Sequence, residues 1–174
     1  PVLIPLTILV GICVLILSGL PVLYTQKRVG QHEKIFTLYK FRTMRPDAEQ
    51  SGAQWASHKD SRTIPGADFL RLTHFDELPQ LWNILRGDLS VVGPRPERPE
   101  FTGELRKEIP FYNLRHLVRP GVTGWAQINY RYGASSEDAL RKLEFDIYYI
   151  KHRSVLLDIL IVLRTIRLLF SNIK

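Results

Sequence analysis

The chain has 174 residues, 45% hydrophobic and 24% charged, with a formal net charge of +7. That length suits one domain with a single core, and the positive balance points to an anionic partner: nucleic acid, anionic lipid or a phosphorylated substrate. The lone cysteine, Cys13, excludes a disulfide framework and a cysteine-built zinc site within one chain.

Residues 2–23 carry no charge and are almost wholly apolar, about the length that spans a bilayer core. Pro5 is tolerated only near a helix start or kink, and Ser18-Gly19-Leu20-Pro21 reads as the helix end. A buried core helix is the alternative, but so long an uncharged run is rare in a soluble domain of this size. Lys27, Arg28, Lys34, Lys40, Arg42 and Arg45 follow, against Glu33 alone. Basic residues beside an apolar segment mark a cytoplasmic side and favour anionic headgroups. The same stretch alternates as two strands, 22–29 and 35–44, joined by Gly30-Gln31-His32-Glu33. Lys40 and Arg42, two residues apart, are expected on one face.

Residues 46–66 are polar and turn-rich, hence a loop. A helix is predicted over 67–72 and a second over 76–85, ended by Gly87. A short strand at 89–92 leads into the rigid loop Gly93-Pro94-Arg95-Pro96, and 97–108 reads as a charged surface helix. Arg119-Pro120-Gly121 is a turn. Residues 135–151 form a helix capped by Ser135 or Ser136, with Asp138 close behind. Residues 154–170 are apolar but carry Asp158, Arg164 and Arg167; an interfacial helix and a core helix are both open readings. There is no internal repeat and no low-complexity tract. The expected fold class is α/β mixed and helix-dominated, with a small hairpin or sheet and amphipathic helices.

The densest chemical signal is His74-Phe75-Asp76-Glu77-Leu78-Pro79-Gln80-Leu81-Trp82-Asn83. On one helix, Leu78, Leu81, Trp82 and Leu85 make an apolar stripe for the core. Asp76, Gln80 and Asn83 make a polar one. Asp76 then sits at a helix N-terminus, which keeps a carboxylate ionised for metal ligation or nucleophilic attack; a simple N-cap explains it equally well. Adjacent acids do not share a helix face, so Glu77 points elsewhere unless the local turn redirects it. Arg95, between two prolines, offers a fork for phosphate or is a solvated surface arginine. The run from Arg119 to Arg131 combines Gly and Pro punctuation with Trp125, Gln127, Asn129 and Arg131, a set that suits a base and its phosphate. Glu144 and Asp146 lie on a helix, where acids usually form a solvated face. Five histidines show no HExxH spacing, and there is no GxGxxG or Walker A sequence, so zinc and the common nucleotide folds are not supported.

Tyr39-Lys-Phe-Arg-Thr-Met44, Asp76 to Asn83, Arg86-Gly-Asp-Leu-Ser-Val-Val-Gly-Pro-Arg-Pro96 and Arg119-Pro-Gly-Val-Thr-Gly-Trp-Ala-Gln-Ile-Asn129, in that order, resemble the bacterial sugar transferases. These are the monotopic phosphoglycosyl transferases that prime polysaccharide and glycoprotein glycan assembly. The resemblance implies a covalent route in two steps. Asp76 matches the nucleophile that attacks the β-phosphorus of a UDP-sugar and releases UMP; a polyprenyl phosphate then takes the phosphosugar. Glu77 matches the second acid of the pair. Asp146 matches a further acid near a Mg2+ ion, which Asp76 also contacts. Arg42, Arg71 and Arg95 match basic positions that hold phosphate or structure the site, and Gln127, Asn129 and Arg131 the region of nucleotide-sugar contact.

The resemblance also implies a re-entrant helix that enters and leaves one leaflet of the bacterial inner membrane, with the catalytic part on the cytoplasmic face. Pro1 matches its break proline, so residues 1–23 are the returning half, residues 24–174 the catalytic domain, and a further N-terminal segment is expected in the parent protein. A homodimer is compatible with the family. An inactive membrane adaptor is one rival reading. A nucleic-acid-binding module is the other, disfavoured because the basic cluster abuts the apolar segment rather than forming a stripe with aromatics.

Overall fold

A computed structural model describes residues 3–50, 52, 60–130 and 135–172. The apolar N-terminal run forms α1 (Leu3–Ser18), with Pro5 in the first turn, where its missing N–H removes no helical bond. It stops at Gly19, whose φ of +66° ends the helix while its N–H still donates to Leu15 O at 2.9 Å. Sixteen residues extend about 24 Å, short of a bilayer core of about 30 Å, and among the described residues no helix is long and apolar enough to cross a membrane. Only Val10 and Val14 of α1 are buried; Ile4, Ile8, Ile12 and Ile16 are exposed.

β1 (Leu23–Val29) and β2 (Ile35–Phe41) form the expected hairpin, antiparallel with Leu23 opposite Phe41 and Val29 opposite Ile35. The second strand ends at Phe41, three residues before the predicted limit, and Phe41, Arg42 and Thr43 are all buried. Alternation therefore fails there, and Arg42 does not share the outlook of Lys40. Its guanidinium turns back to the end of α1 and donates to the carbonyls of Ser18, Gly19 and Leu20, satisfying acceptors that a helix terminus leaves open.

After α2 (Asp68–Leu72) comes a 3-10 turn, Phe75–Glu77, and only then α3 (Gln80–Arg86). The single helix predicted over 76–85 is thus two pieces. Pro79 has no N–H to continue the first turn, so Asp76 belongs to the turn rather than capping α3. The amphipathic assignment is also inverted. Asp76, Gln80 and Asn83 are buried, whereas Trp82 and Leu85 are 57% and 80% exposed. The reason is the free edge of β2. Asn83 Oδ1 accepts from Tyr39 N at 3.1 Å, and Asn83 Nδ2 donates to Thr37 O at 2.7 Å. The amide replaces a missing neighbour strand, which draws the polar face of α3 inward.

β3 (Ser90–Val92) pairs in parallel with β4 (Gly121–Thr123). α4 (Pro99–Glu108), a 3-10 turn Tyr112–Leu117, α5 (Trp125–Asn129), α6 (Ser136–His152) and α7 (Val155–Asn172) complete a helix-dominated α/β fold with two two-stranded sheets. Ser135 caps α6 through a capping box with Asp138, as the sequence suggests. α7 buries Ile161 fully against Val92 and Tyr149, as the core reading expects, and leaves Val155, Leu156 and Leu163 exposed. Another cluster joins Val10, Val14, Phe41 and Leu70, with Phe75 and Leu78 packed on it. The two residues that bracket Asp76-Glu77 are therefore anchored on the inner side of α1.

Glycine is obligatory where β3 and β4 meet. A Cβ on Gly121 would collide with backbone atoms of Val92, Gly93 and Thr123, and Gly121 N donates to Pro94 O at 2.9 Å. Gly121→Ala is expected to cost at least about 2 kcal/mol in urea unfolding. Gly103→Ala, in α4 with open space around it, is expected to gain about 0.5–1 kcal/mol in the same measurement.

Candidate active site

The 3-10 turn puts both acids into one pocket, so the local turn does redirect Glu77. Glu77 Oε1 accepts from Arg95 Nη2 at 2.8 Å and lies 3.9 Å from His74 Nδ1. Burial alone would raise the Glu77 carboxyl, but Arg95 and then His74 outweigh it and hold it well below the usual carboxylate range. The Glu77 interaction in turn raises the His74 imidazole. Asp76 is different. It is 7% exposed, and among the described residues no group hydrogen-bonds its carboxylate. Burial, then the charge of Glu77, push it up to about 6, against the opposing pull of Lys40, His74 and Arg95. Lys40 comes from β2, and burial lowers its pKa while Asp76 and Glu77 oppose the shift.

Arg95 is aimed by a row of backbone carbonyls. Pro94 O accepts from Gly121 N at 2.9 Å, Arg95 O from Arg115 Nη2 at 3.0 Å, Pro96 O from Arg28 Nη1 at 2.8 Å, and Glu97 O from Val29 N at 2.9 Å. Pro94 and Pro96 have no N–H of their own, so the loop is held through its acceptors. Arg115 is itself fixed: it meets Asp146 Oδ2 at 2.8 and 3.0 Å and donates to Tyr112 Oη at 2.7 Å. Both members of this ion pair are buried, at 5% and 1% exposure. Arginine stays protonated in such a setting, so the pair is ionic, although burial pushes the Asp146 carboxyl up to about 6 against the pull of Arg115.

The sequence-predicted residues thus divide. Asp76, Glu77 and Arg95 come together. Asp146 is not on a solvated face: it is buried and its Oδ2 pairs with Arg115, one layer behind Arg95. Arg42 is spent on the end of α1, and Arg71 donates to Thr63 Oγ1 at 2.5 Å. Gln127 Nε2 donates to Val122 O at 2.9 Å, while its Oε1 is buried without a partner; Asn129 is exposed and donates to Trp125 O at 2.8 Å. Arg131 lies outside the described residues. Sequence reasoning left out Lys40, His74, Arg28 and Arg115 as site residues. Lys40 was legible from its place in the Tyr39–Met44 motif and His74 from its neighbours; Arg28 was read with the membrane-facing charge, and nothing in the sequence marks Arg115.

A Mg2+ ion binds through one or two carboxylates plus substrate phosphates and keeps several waters. Among the described residues there is no cluster of three or more potential ligands. The adjacent, buried carboxylates of Asp76 and Glu77 fit such a sparse site, because a cation would relieve the repulsion that raises Asp76.

This geometry of an acid pair under an aimed arginine coincides with a family match. The chain belongs to the bacterial sugar transferases, whose family pattern matches residues 1–172. It is 44% identical to a UDP-N-acetylgalactosamine-undecaprenyl-phosphate N-acetylgalactosaminephosphotransferase of Aeromonas hydrophila, over 99% of the chain and 41% of the relative. It is 40% identical to an undecaprenyl-phosphate glucose phosphotransferase of Komagataeibacter xylinus, over 94% of the chain and 32% of the relative. It is 39% identical to a UDP-glucose:undecaprenyl-phosphate glucose-1-phosphate transferase of Escherichia coli K12, over 97% of the chain and 37% of the relative. The chain therefore spans less than half the length of these three relatives.

Two predictions follow from the charge layers. Asp146→Ala strands the buried Arg115 and is expected to cost about 3–5 kcal/mol in urea unfolding. Asp76→Asn is expected to act in the opposite sense. The folded pKa of about 6 exceeds the ordinary 3.8, so stability due to this group is present below the lower value and lost as pH rises through about 6. In chelator-containing buffer at neutral pH, Asp76→Asn should unfold later than the parent protein, by on the order of 1–3 kcal/mol, with the gain vanishing at acid pH.

Proposed function

We propose that this chain is the catalytic part of a phosphoglycosyl transferase, which moves a sugar 1-phosphate from a UDP-sugar to a polyprenyl phosphate at the cytoplasmic face of the bacterial inner membrane. The observation that carries the reading is the unequal environment of the two acids. Glu77 is held by Arg95 and His74, whereas Asp76 is buried with its oxygens free, as a carboxylate nucleophile requires.

In the first step an Asp76 oxygen attacks the β-phosphorus of the UDP-sugar. The bond to the bridging oxygen breaks and UMP leaves, with the phosphosugar esterified to Asp76. In the second step an oxygen of the lipid phosphate attacks the same phosphorus and displaces the carboxylate. Phosphoryl transfer depends on alignment and charge neutralisation, and Lys40 and Arg95 supply positive charge beside the attacking oxygen. Glu77 holds Arg95 in place. Mg2+, held by Asp76 and Glu77, would neutralise the donor diphosphate.

The apolar exterior supports a membrane setting. α1 dips into one leaflet, and the outward Trp82 and Leu85 of α3 and the exposed residues of α7 face lipid. The names of the relatives support the reaction class, and they differ in the sugar they specify, N-acetylgalactosamine or glucose.

UMP release from a panel of UDP-sugars by the detergent-solubilised parent protein, with undecaprenyl phosphate and Mg2+, tests the reading. One sugar should release UMP, and Asp76→Asn should lower the rate at least about 1,000-fold. A folded protein that releases UMP from no UDP-sugar would favour the inactive adaptor.

A further inference from the structure

A cavity of about 530 Å3 shares no residue with the Asp76, Glu77 and Arg95 cluster. β3 contributes Ser90 to its wall, the turn before β4 Arg119, α6 Tyr149, the link to α7 Arg153, and the first turn of α7 Val155 and Asp158. Its volume is that of a small-ligand site.

The lining carries two guanidinium groups and one carboxylate. Asp158 is already engaged, its Oδ1 accepting from Tyr149 Oη at 2.9 Å. That bond, behind burial, helps hold the Tyr149 phenol near a pKa too high for it to ionise. Among the described residues, Arg119 and Arg153 make no ion pair and no side-chain hydrogen bond. The cavity therefore has an excess of positive charge, and its one carboxylate is already engaged by Tyr149. Two forks around one anion match the several oxygens of a phosphate; a carboxylate is satisfied by one.

The mouth of the cavity is apolar in a directional way. Val155, in its wall, is 78% exposed and its neighbour Leu156 80% exposed. Ile159 and Leu163 continue from Val155 at four-residue spacing, 52% and 60% exposed, so they share its face of the helix. A basic pocket opens onto an apolar track.

We propose that this cavity binds a phosphorylated lipid, with the phosphate between Arg119 and Arg153 and the hydrocarbon chain along Val155, Ile159 and Leu163 of α7. Phosphate on an apolar chain is common to anionic phospholipids and to isoprenoid phosphates. This site is separate from the chemistry at Asp76 and does not need it.

The test titrates the detergent-solubilised full-length protein with phosphatidylglycerol, undecaprenyl phosphate, diacylglycerol and undecaprenol, reading bound lipid by native mass spectrometry. The phosphorylated lipids should bind and the two alcohols should not. Arg119→Gln with Arg153→Gln should weaken phospholipid binding about thirty-fold, about five-fold for each charge. Arg119→Lys with Arg153→Lys should keep most of it, which also guards against a folding defect in the glutamine variant. Lys107→Gln with Arg141→Gln, an equal loss of charge elsewhere, should leave it unchanged. Weakened binding of both phosphorylated lipids in the glutamine variant assigns the pocket to lipid phosphate in general; weakened binding of undecaprenyl phosphate alone assigns it to isoprenoid phosphate. Equal binding of the alcohols, wild-type binding by the glutamine variant, or an equal loss in the Lys107 and Arg141 variant would overturn the proposal. UMP release is a separate readout, so failure of either reading leaves the other measurable.

Discussion

Two adjacent carboxylates can stay buried here because Arg95 reaches Glu77. That ion pair rests on the carbonyls of residues 94–97, each held by a donor from a different part of the chain: β4, the 3-10 turn before it, and two successive residues of β1. Most other features serve this rail. The β1–β2 hairpin delivers Arg28, Val29 and Lys40. The close approach of Gly93 and Gly121 leaves room for the bond to Pro94 O. The buried pair Arg115 and Asp146 locks one guanidinium so that its remaining N–H meets Arg95 O. Charge is thus layered: a free carboxylate in front, an arginine beside it, and a neutralised ion pair behind.

The elements with strong local signals were legible in the sequence. The hairpin followed from alternation around Gly30, α6 from its capping residues, and the close of α1 from Ser18-Gly19. The polarity of α3 was not. Its apolar stripe was assigned to a core that assumes water outside, but Asn83 has to complete the edge of β2 and Trp82 faces outward. Hydrophobic periodicity reports that a helix has two faces; it does not report which face meets the rest of the protein. The break at Pro79 was written in the sequence, yet proline also fits a first helical turn, and the local pattern alone does not choose.

The site was legible through its motifs and not through its long-range partners. Asp76, Glu77 and Arg95 stand in dense, punctuated stretches. Asp146 was visible as an acid, but its role depends on Arg115, thirty-one residues earlier in the chain. Arg42, read from its motif as holding phosphate or structuring the site, uses its donors on the carbonyls that end α1. α1 is tied to the residue that follows β2 by Arg42 at its end, and to the Asp76 turn by Phe75 and Leu78 along its inner side. The inner side of α1 and the turn that holds Asp76 are joined by one apolar cluster, which couples the position of α1 to that of Asp76.

The central claim is that Asp76 itself accepts the phosphosugar. Intact-mass and peptide mass spectrometry of the parent protein, quenched in acid after incubation with its UDP-sugar and Mg2+ in the absence of lipid acceptor, tests this most directly. The account predicts an added sugar phosphate on the peptide that contains Asp76, removed by addition of polyprenyl phosphate and never formed on Asp76→Asn. UMP release at full rate with the protein mass unchanged, or with the adduct on another residue, would contradict it.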